Sequence, residues 1–143
     1  VPPVTLDGST DLAGLLDGGR LAIGMVDSVP AGQYGKEALT ALGLWESVKD
    51  SLAQSENVRV ALQLVALGEA PLGIVYGSDA IADAGAVSVI ATFPEESHSP
   101  IIYPAALVTA GGKPEARAFL DYLASPAARE VFEAQGFSVL TAG

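Results

Sequence analysis

A chain of 143 residues with 17 acidic against 7 basic side chains, a formal charge of -10 and no cysteine argues against partners held by phosphate neutralisation, and it excludes disulfides, zinc-thiolate centres and thiol nucleophiles. Half of the residues are hydrophobic, yet only 6% are aromatic and glycines number 16, so about one domain's worth of chain can bury an aliphatic, Ala-rich core of the kind helices form on a sheet. No run is long enough to span a membrane, and the opening "VPPVTLDGSTDL" lacks the charged and apolar regions of a signal peptide.

Taken in order, apolar runs and helical patterns alternate. "RLAIGMV" (20 to 26) predicts a strand, and residues 32 to 42 predict a helix with Tyr34, Ala38 and Leu42 on one face. "NVRVALQLVALG" is apolar almost all round, with only the Arg59 and Gln63 stripe polar, which predicts a buried helix. "APLGIVYG" (70 to 77) predicts a short buried strand, "SDAIADAG" one or two helical turns, and "AVSVIATF" (86 to 93) another strand. "IIYPAALVTA" (101 to 110) also looks extended, with Pro104 placing it at an edge or crossover. Two helices follow in "KPEARAFLDYLASPAAREVFEAQGF": Pro114 suits a first-turn position, Ser125 and Pro126 an N-cap followed by N1, and Gly136 a C-terminal stop. Strands separated by helices imply a mainly parallel α/β sheet, with ligand sites at the carboxyl ends of the strands.

Three segments follow a strand end or open a helix: "VPAG", "ENVRVAL" and "VYGSDA". A helix start presents unpaired N-H groups and about half a positive charge, so converging starts can hold an anion without Lys or Arg. Pro30 has no N-H, which makes Ala31 and Gly32 the first donors of their turn. In the second segment Asn57 or Ser55 can cap the helix; Asn57 leaves the Val58 N-H outward, whereas Ser55 would draw that N-H to its own hydroxyl. Taken singly, each pattern is more often an ordinary connection whose free donors meet water, and Tyr76 is more often a core aromatic with a satisfied hydroxyl than a ligand donor.

The chain resembles the periplasmic molybdate-binding proteins, the solute receptors of molybdate ABC importers. "TDLAGLLDGGRLAIG", "VPAGQYGKEALTALGLW", "ENVRVALQLVALGEAPLGIVYGSDA", "ATFPEESH" and "FLDYLASPAAREVFEAQGF" carry the likeness in order and spacing over nearly the whole chain, with "EAPLGIVYGSDA" the most specific block. The resemblance implies a periplasmic-binding-protein type II-like lobe. It implies capture of molybdate or tungstate by the backbone N-H groups of Ala31 and Val58 and the hydroxyl of Tyr76, with Asn57 as the cap. It further implies a periplasmic location, a membrane permease as partner, and no cofactor, metal or catalysis. Residues 5 to 105 would form the second ligand-binding lobe, and 106 to 143 the crossover and C-terminal helices of the first. The family's remaining ligand serines belong to an N-terminal segment that this sequence does not contain; Ser28 and Ser78 do not replace them by position, and "MVDS" departs from the family's Asp-Pro start. A chain of this extent is expected to be a fragment carrying half the cleft. Its Phe119, Leu120, Leu123, Val131 and Phe132 would then lack their sheet and favour self-association or an exchanged segment. The alternatives are binding of another anion, or a non-binding, self-associating fragment.

Enzymatic readings are thin. "AGGKP" lacks the upstream Gly and the Ser or Thr of a phosphate loop, no Gly-x-Ser-x-Gly elbow occurs, and the single histidine, His98, lies in a Pro- and Ser-rich stretch. "PEESH" offers Glu95, Glu96 and His98, a set more expected in a solvated turn than around a metal.

Overall fold

β1 (Leu21–Gly24) is buried along its whole length, as its unbroken apolar run requires of a strand with both faces covered. In the computed structural model, which describes residues 3–101 and 114–134, it is the middle strand of a three-stranded sheet of order β2-β1-β3, with β2 at Leu52–Ser55 and β3 at Leu72–Gly73. Both pairings are parallel, as the alternating pattern predicts, with Leu21 opposite Leu52 and Leu72, and Gly24 opposite Ser55.

Alternation along β1 divides the core. Leu21 joins a cluster with Leu12 and Leu16 of α1 (Leu12–Leu16), Leu39 of α2 (Pro30–Ala41), Val48 of α3 (Trp45–Val48) and Leu72. Ala22 faces the other way, onto Ala61 of α4 (Val58–Ala66) and Ala70. The small pair Ala22 and Gly73 lets α4 lie close: a Cβ on Gly73 would meet Val65 Cγ2 at 2.6 Å. α4 corrects one expectation, since it buries only Ala61 fully and leaves Leu67 at its end 73% exposed. A sheet three strands wide offers that helix a single surface, so its all-round apolar character is not matched by all-round burial.

α2 begins at Pro30, two residues before the predicted start, because Val29 is extended (φ -91°, ψ 125°) and Pro30 supplies a preset φ at N1. The segment 86 to 93, expected as a strand, is not one. It receives one backbone hydrogen bond, from the Val4 N-H to the Ile90 carbonyl (2.8 Å), and the described residues give it no neighbouring strand to form a ladder. β2 and α3 were not expected from the pattern, and α5 (Gly77–Ala82) matches the predicted short helix.

The chain divides into two units after Pro100. In the second, α6 (Pro114–Leu123) and α7 (Pro126–Ala134) stand where Pro114 and Pro126 predicted them, and the Ser125 hydroxyl accepts from the Ala128 N-H (3.2 Å) as an N-cap does. Phe119 and Val131 are 64% and 63% exposed, while Leu120, Leu123 and Phe132 are half-buried. The strand expected at 101 to 110 beyond Ile101, with its Pro104, and the stop at Gly136 lie outside the described residues.

Candidate functional site

A parallel strand hands its chain on at the carboxyl end, so helices that follow neighbouring strands begin along one edge of the sheet. β1 leads into α2, β2 into α4 and β3 into α5. With β1 in the middle and strands about 4.8 Å apart, the three helices all start from the same end of the sheet. Ala31 is at the second position of α2, Val58 at the first of α4, and Tyr76 is the N-cap of α5. The three residues proposed from sequence thus share one edge of one unit.

The turn before α2 uses four of its own donors. The Met25 N-H donates to the Ser55 carbonyl (2.9 Å), Val26 to Gln54 Oε1 (3.1 Å), and Ser28 and Val29 both to the Met25 carbonyl (3.3 and 2.9 Å). The first helical bond runs from the Gln33 N-H to the Val29 carbonyl (2.9 Å), so Ala31 and Gly32 precede the helix ladder. Val29 provides no side-chain cap and the first turn has no acidic residue, which leaves the positive end of the helix dipole uncompensated by the chain's own carboxylates. Gly24 and Gly32 set the approach: a Cβ on Gly32 would run into the Gly24 carbonyl, and one on Gly24 would meet Val29 Cγ1 at 2.5 Å. Ala31 is 4% exposed, so its donor is shielded from bulk water.

At α4 the choice of cap is resolved. Asn57 is extended and its Oδ1 accepts from the Val60 N-H (2.9 Å), while Ser55 closes β2. Val58 and Arg59 stand ahead of the ladder, which opens with Ala61 donating to the Asn57 carbonyl (3.4 Å). Here too the first turn lacks an acidic residue. Substituting Asn57→Ala is expected to lower stability by about 1 kcal/mol, measured as a shift in urea midpoint at constant m-value; an unshifted midpoint would deny Asn57 that role.

α5 differs. Asp79 Oδ2 accepts from the Tyr76 N-H (3.0 Å), and the Asp79 N-H returns to the Tyr76 carbonyl (3.0 Å). A carboxylate already occupies this helix start, so what Tyr76 can bring to an anion is its hydroxyl, not a main-chain N-H.

The "PEESH" stretch forms a 3-10 turn at Glu95–Ser97. Ser97 is buried with its hydroxyl on the Pro94 carbonyl (2.6 Å), the His98 ring meets Tyr34 edge-on with centroids 6.3 Å apart, and the Ser99 hydroxyl donates to Glu37 (2.8 Å). Among the described residues no group of three or more His, Asp or Glu is placed to hold a metal ion, and no helix is long and apolar enough to cross a membrane. Sequence reasoning missed Gln54, Asp79 and the Gly24/Gly32 contact; of these only the spacing of the two glycines around "VPA" left a local trace.

The family model for bacterial extracellular solute-binding proteins matches residues 1–138. The chain belongs to that family. This solute-binding protein is 52% identical over 135 residues to the molybdate-binding protein of Escherichia coli, an alignment covering 94% of this chain and 52% of that one. It is 48% identical over 118 residues to the molybdate-binding protein of Haemophilus influenzae, covering 82% and 46%. The chain therefore spans about half the length of these curated relatives. Among solved structures, a Clostridium difficile substrate-binding domain assigned to a molybdenum ABC transporter superposes with a TM-score of 0.77 at 32% identity, covering 94% of this chain and 60% of that chain. The solute-binding protein thus has the expected α/β architecture of the periplasmic-binding-protein type II kind, a parallel sheet flanked by helices. Its resemblance to the molybdate-binding proteins holds over nearly all its residues, and the family is one of binding proteins, not enzymes.

Proposed function

We propose that this solute-binding protein takes part in capturing molybdate, and its congener tungstate, for an ABC importer with a membrane permease as its docking partner, in the periplasm. The observation that carries the proposal is the 52% identity to a molybdate-binding protein across 94% of this chain. In this account residues 5 to 105 are the second ligand-binding lobe and 106 to 143 the crossover and C-terminal helices. Ala31 and Val58 donate their N-H groups and Tyr76 its hydroxyl. The physical support is the pair of helix starts, α2 and α4, that carry no carboxylate of their own in the first turn. An oxyanion replaces that missing negative charge.

Donor chemistry gives selectivity. N-H and O-H groups suit a fully deprotonated dianion and offer no acceptor for the proton that phosphate keeps near neutrality; sulfate is left to be rejected by cavity size. Calorimetric titration with molybdate, against sulfate as control, tests the function. Saturable heat with molybdate alone is expected, and its absence would deny this chain a competent site. Tyr76→Phe is expected to weaken molybdate binding about ten- to a hundredfold, from the roughly 1.5 to 3 kcal/mol of a hydrogen bond to a charged group. Equal affinity would remove Tyr76 from the site.

The exposed Phe119 and Val131, together with Tyr122 at 54%, favour a second reading in which the chain self-associates or exchanges a segment. A one-chain mass by light scattering across a wide concentration range would sink it.

A further inference from the structure

We propose that Gln54 is a positioning residue for the anion site: from β2 its side-chain amide holds the loop of residues 25 to 29 in the shape that presents the Ala31 and Gly32 N-H groups. This assignment rests on the anion-binding function proposed above and adds a residue that touches no ligand.

The need for such a residue follows from the ladder. Gln54 lies opposite Ile23 and Ser55 opposite Gly24, and beyond Ser55 the chain leaves β2 for the cap at Asn57. The Met25 N-H still finds a main-chain acceptor, the Ser55 carbonyl at 2.9 Å. Val26 lies in the turn beyond the strand, and Gln54 Oε1 takes its N-H at 3.1 Å. A side chain of β2 thereby holds the turn one residue past the end of the ladder. That bond matters because the turn's own bonds, from the Ser28 and Val29 N-H groups to the Met25 carbonyl, close it on itself without tying it to β2, and the helix start adds no tie: Val29 caps without a side-chain bond and Pro30 has no N-H. The other side chain bonded to this loop, Gln33 Nε2 on the Asp27 carbonyl (3.3 Å), belongs to α2 itself and moves with it. Gln54 instead ties the loop across the sheet. Only Ser55 and Glu56 separate it from Asn57, so one strand end anchors both turns whose N-H groups are assigned to the anion.

Three chains decide the matter, each followed by amide hydrogen exchange and by molybdate titration: the unaltered protein, Gln54→Met and Gln54→Glu. Methionine keeps length and removes the acceptor, while glutamate keeps an acceptor oxygen. In Gln54→Met, exchange at Val26 is expected to rise about fivefold or more, and molybdate affinity to fall about three- to tenfold with the melting temperature unmoved, the scale of one neutral hydrogen bond. Gln54→Glu should restore slow exchange at Val26, whatever its added charge does to anion affinity. Affinity in Gln54→Met equal to that of the unaltered chain overturns the positioning role and leaves the anion function standing. A drop in melting temperature that glutamate fails to reverse also overturns it, as the mark of a merely structural bond. Should the unaltered chain give no heat with molybdate, the anion function fails for this chain and Gln54 is judged by Ala31 and Gly32: exchange there unchanged in Gln54→Met overturns the role, and faster exchange sustains it.

Discussion

Gly32→Ala is expected to cost the first unit roughly 3 kcal/mol, the upper end for overpacking, and to abolish the proposed molybdate binding with it. The added Cβ would run into the carbonyl of Gly24 at the end of β1, and it would also crowd the Met25 carbonyl oxygen at 2.6 Å. Both obstacles are main chain, at the last residue of the middle strand and the one after it, so neither can swing aside as a side-chain tip can. α2 must instead lift off the strand end, which moves the Ala31 and Gly32 donors away from the edge they share with Val58. The measurement is the urea midpoint of Gly32→Ala against that of Gly85→Ala. Gly85 has nothing within 4 Å of its would-be Cβ, and its substitution should fall within about 0.5 kcal/mol of the unaltered protein. Equal midpoints would mean that α2 does not start against β1 as described.

Ile23→Ala should be as damaging, at about 3 to 4 kcal/mol, within the range for truncating a fully buried aliphatic side chain. Ile23 is 0% exposed, and its Cδ1 lies 2.9 Å from where a Cβ on Gly35 of α2 would stand. Removing the side chain opens a void under the helix at a position where the helix has no side chain of its own to collapse into it. That geometry yields a sharper test than the single variant. Gly35→Ala alone should destabilise by crowding Ile23, whereas in the Ile23→Ala background it should be neutral or recover about 1 kcal/mol, because the new methyl enters the void and alanine favours the helix. Additive effects in this cycle of denaturation experiments would refute the contact.

Much of the candidate site was legible in the sequence because its parts are local. A Pro at a helix start, a small residue after it and an Asn before "VRVAL" state where unpaired donors fall within a few residues of chain, and Pro30, Ala31, Asn57 and Val58 stand there in the structure. What lay beyond reach was how those donors are held. The Val26 N-H and Gln54 Oε1 are separated by 28 positions, and no periodicity announces a side chain that reaches from one strand to the turn after another.

By itself the sequence determined the αβ alternation, the course of β1, the starts of α6 and α7 at Pro114 and Pro126, and the parallel class of the sheet, since these follow from φ preference, capping and apolar period over short spans. Only the tertiary structure decided the rest. "LAQS" became β2 because β1 offered it a full ladder, from Leu21 with Leu52 to Gly24 with Ser55, while the more strand-like "AVSVIATF" stayed irregular, with no neighbouring strand among the described residues and a single long-range backbone bond there, from Val4. α4, apolar almost all round, is half-covered among the described residues, where the three strands beneath it offer a single surface. A strand or a buried face exists only when a distant segment supplies its partner, and that distant supply is what a local pattern does not contain.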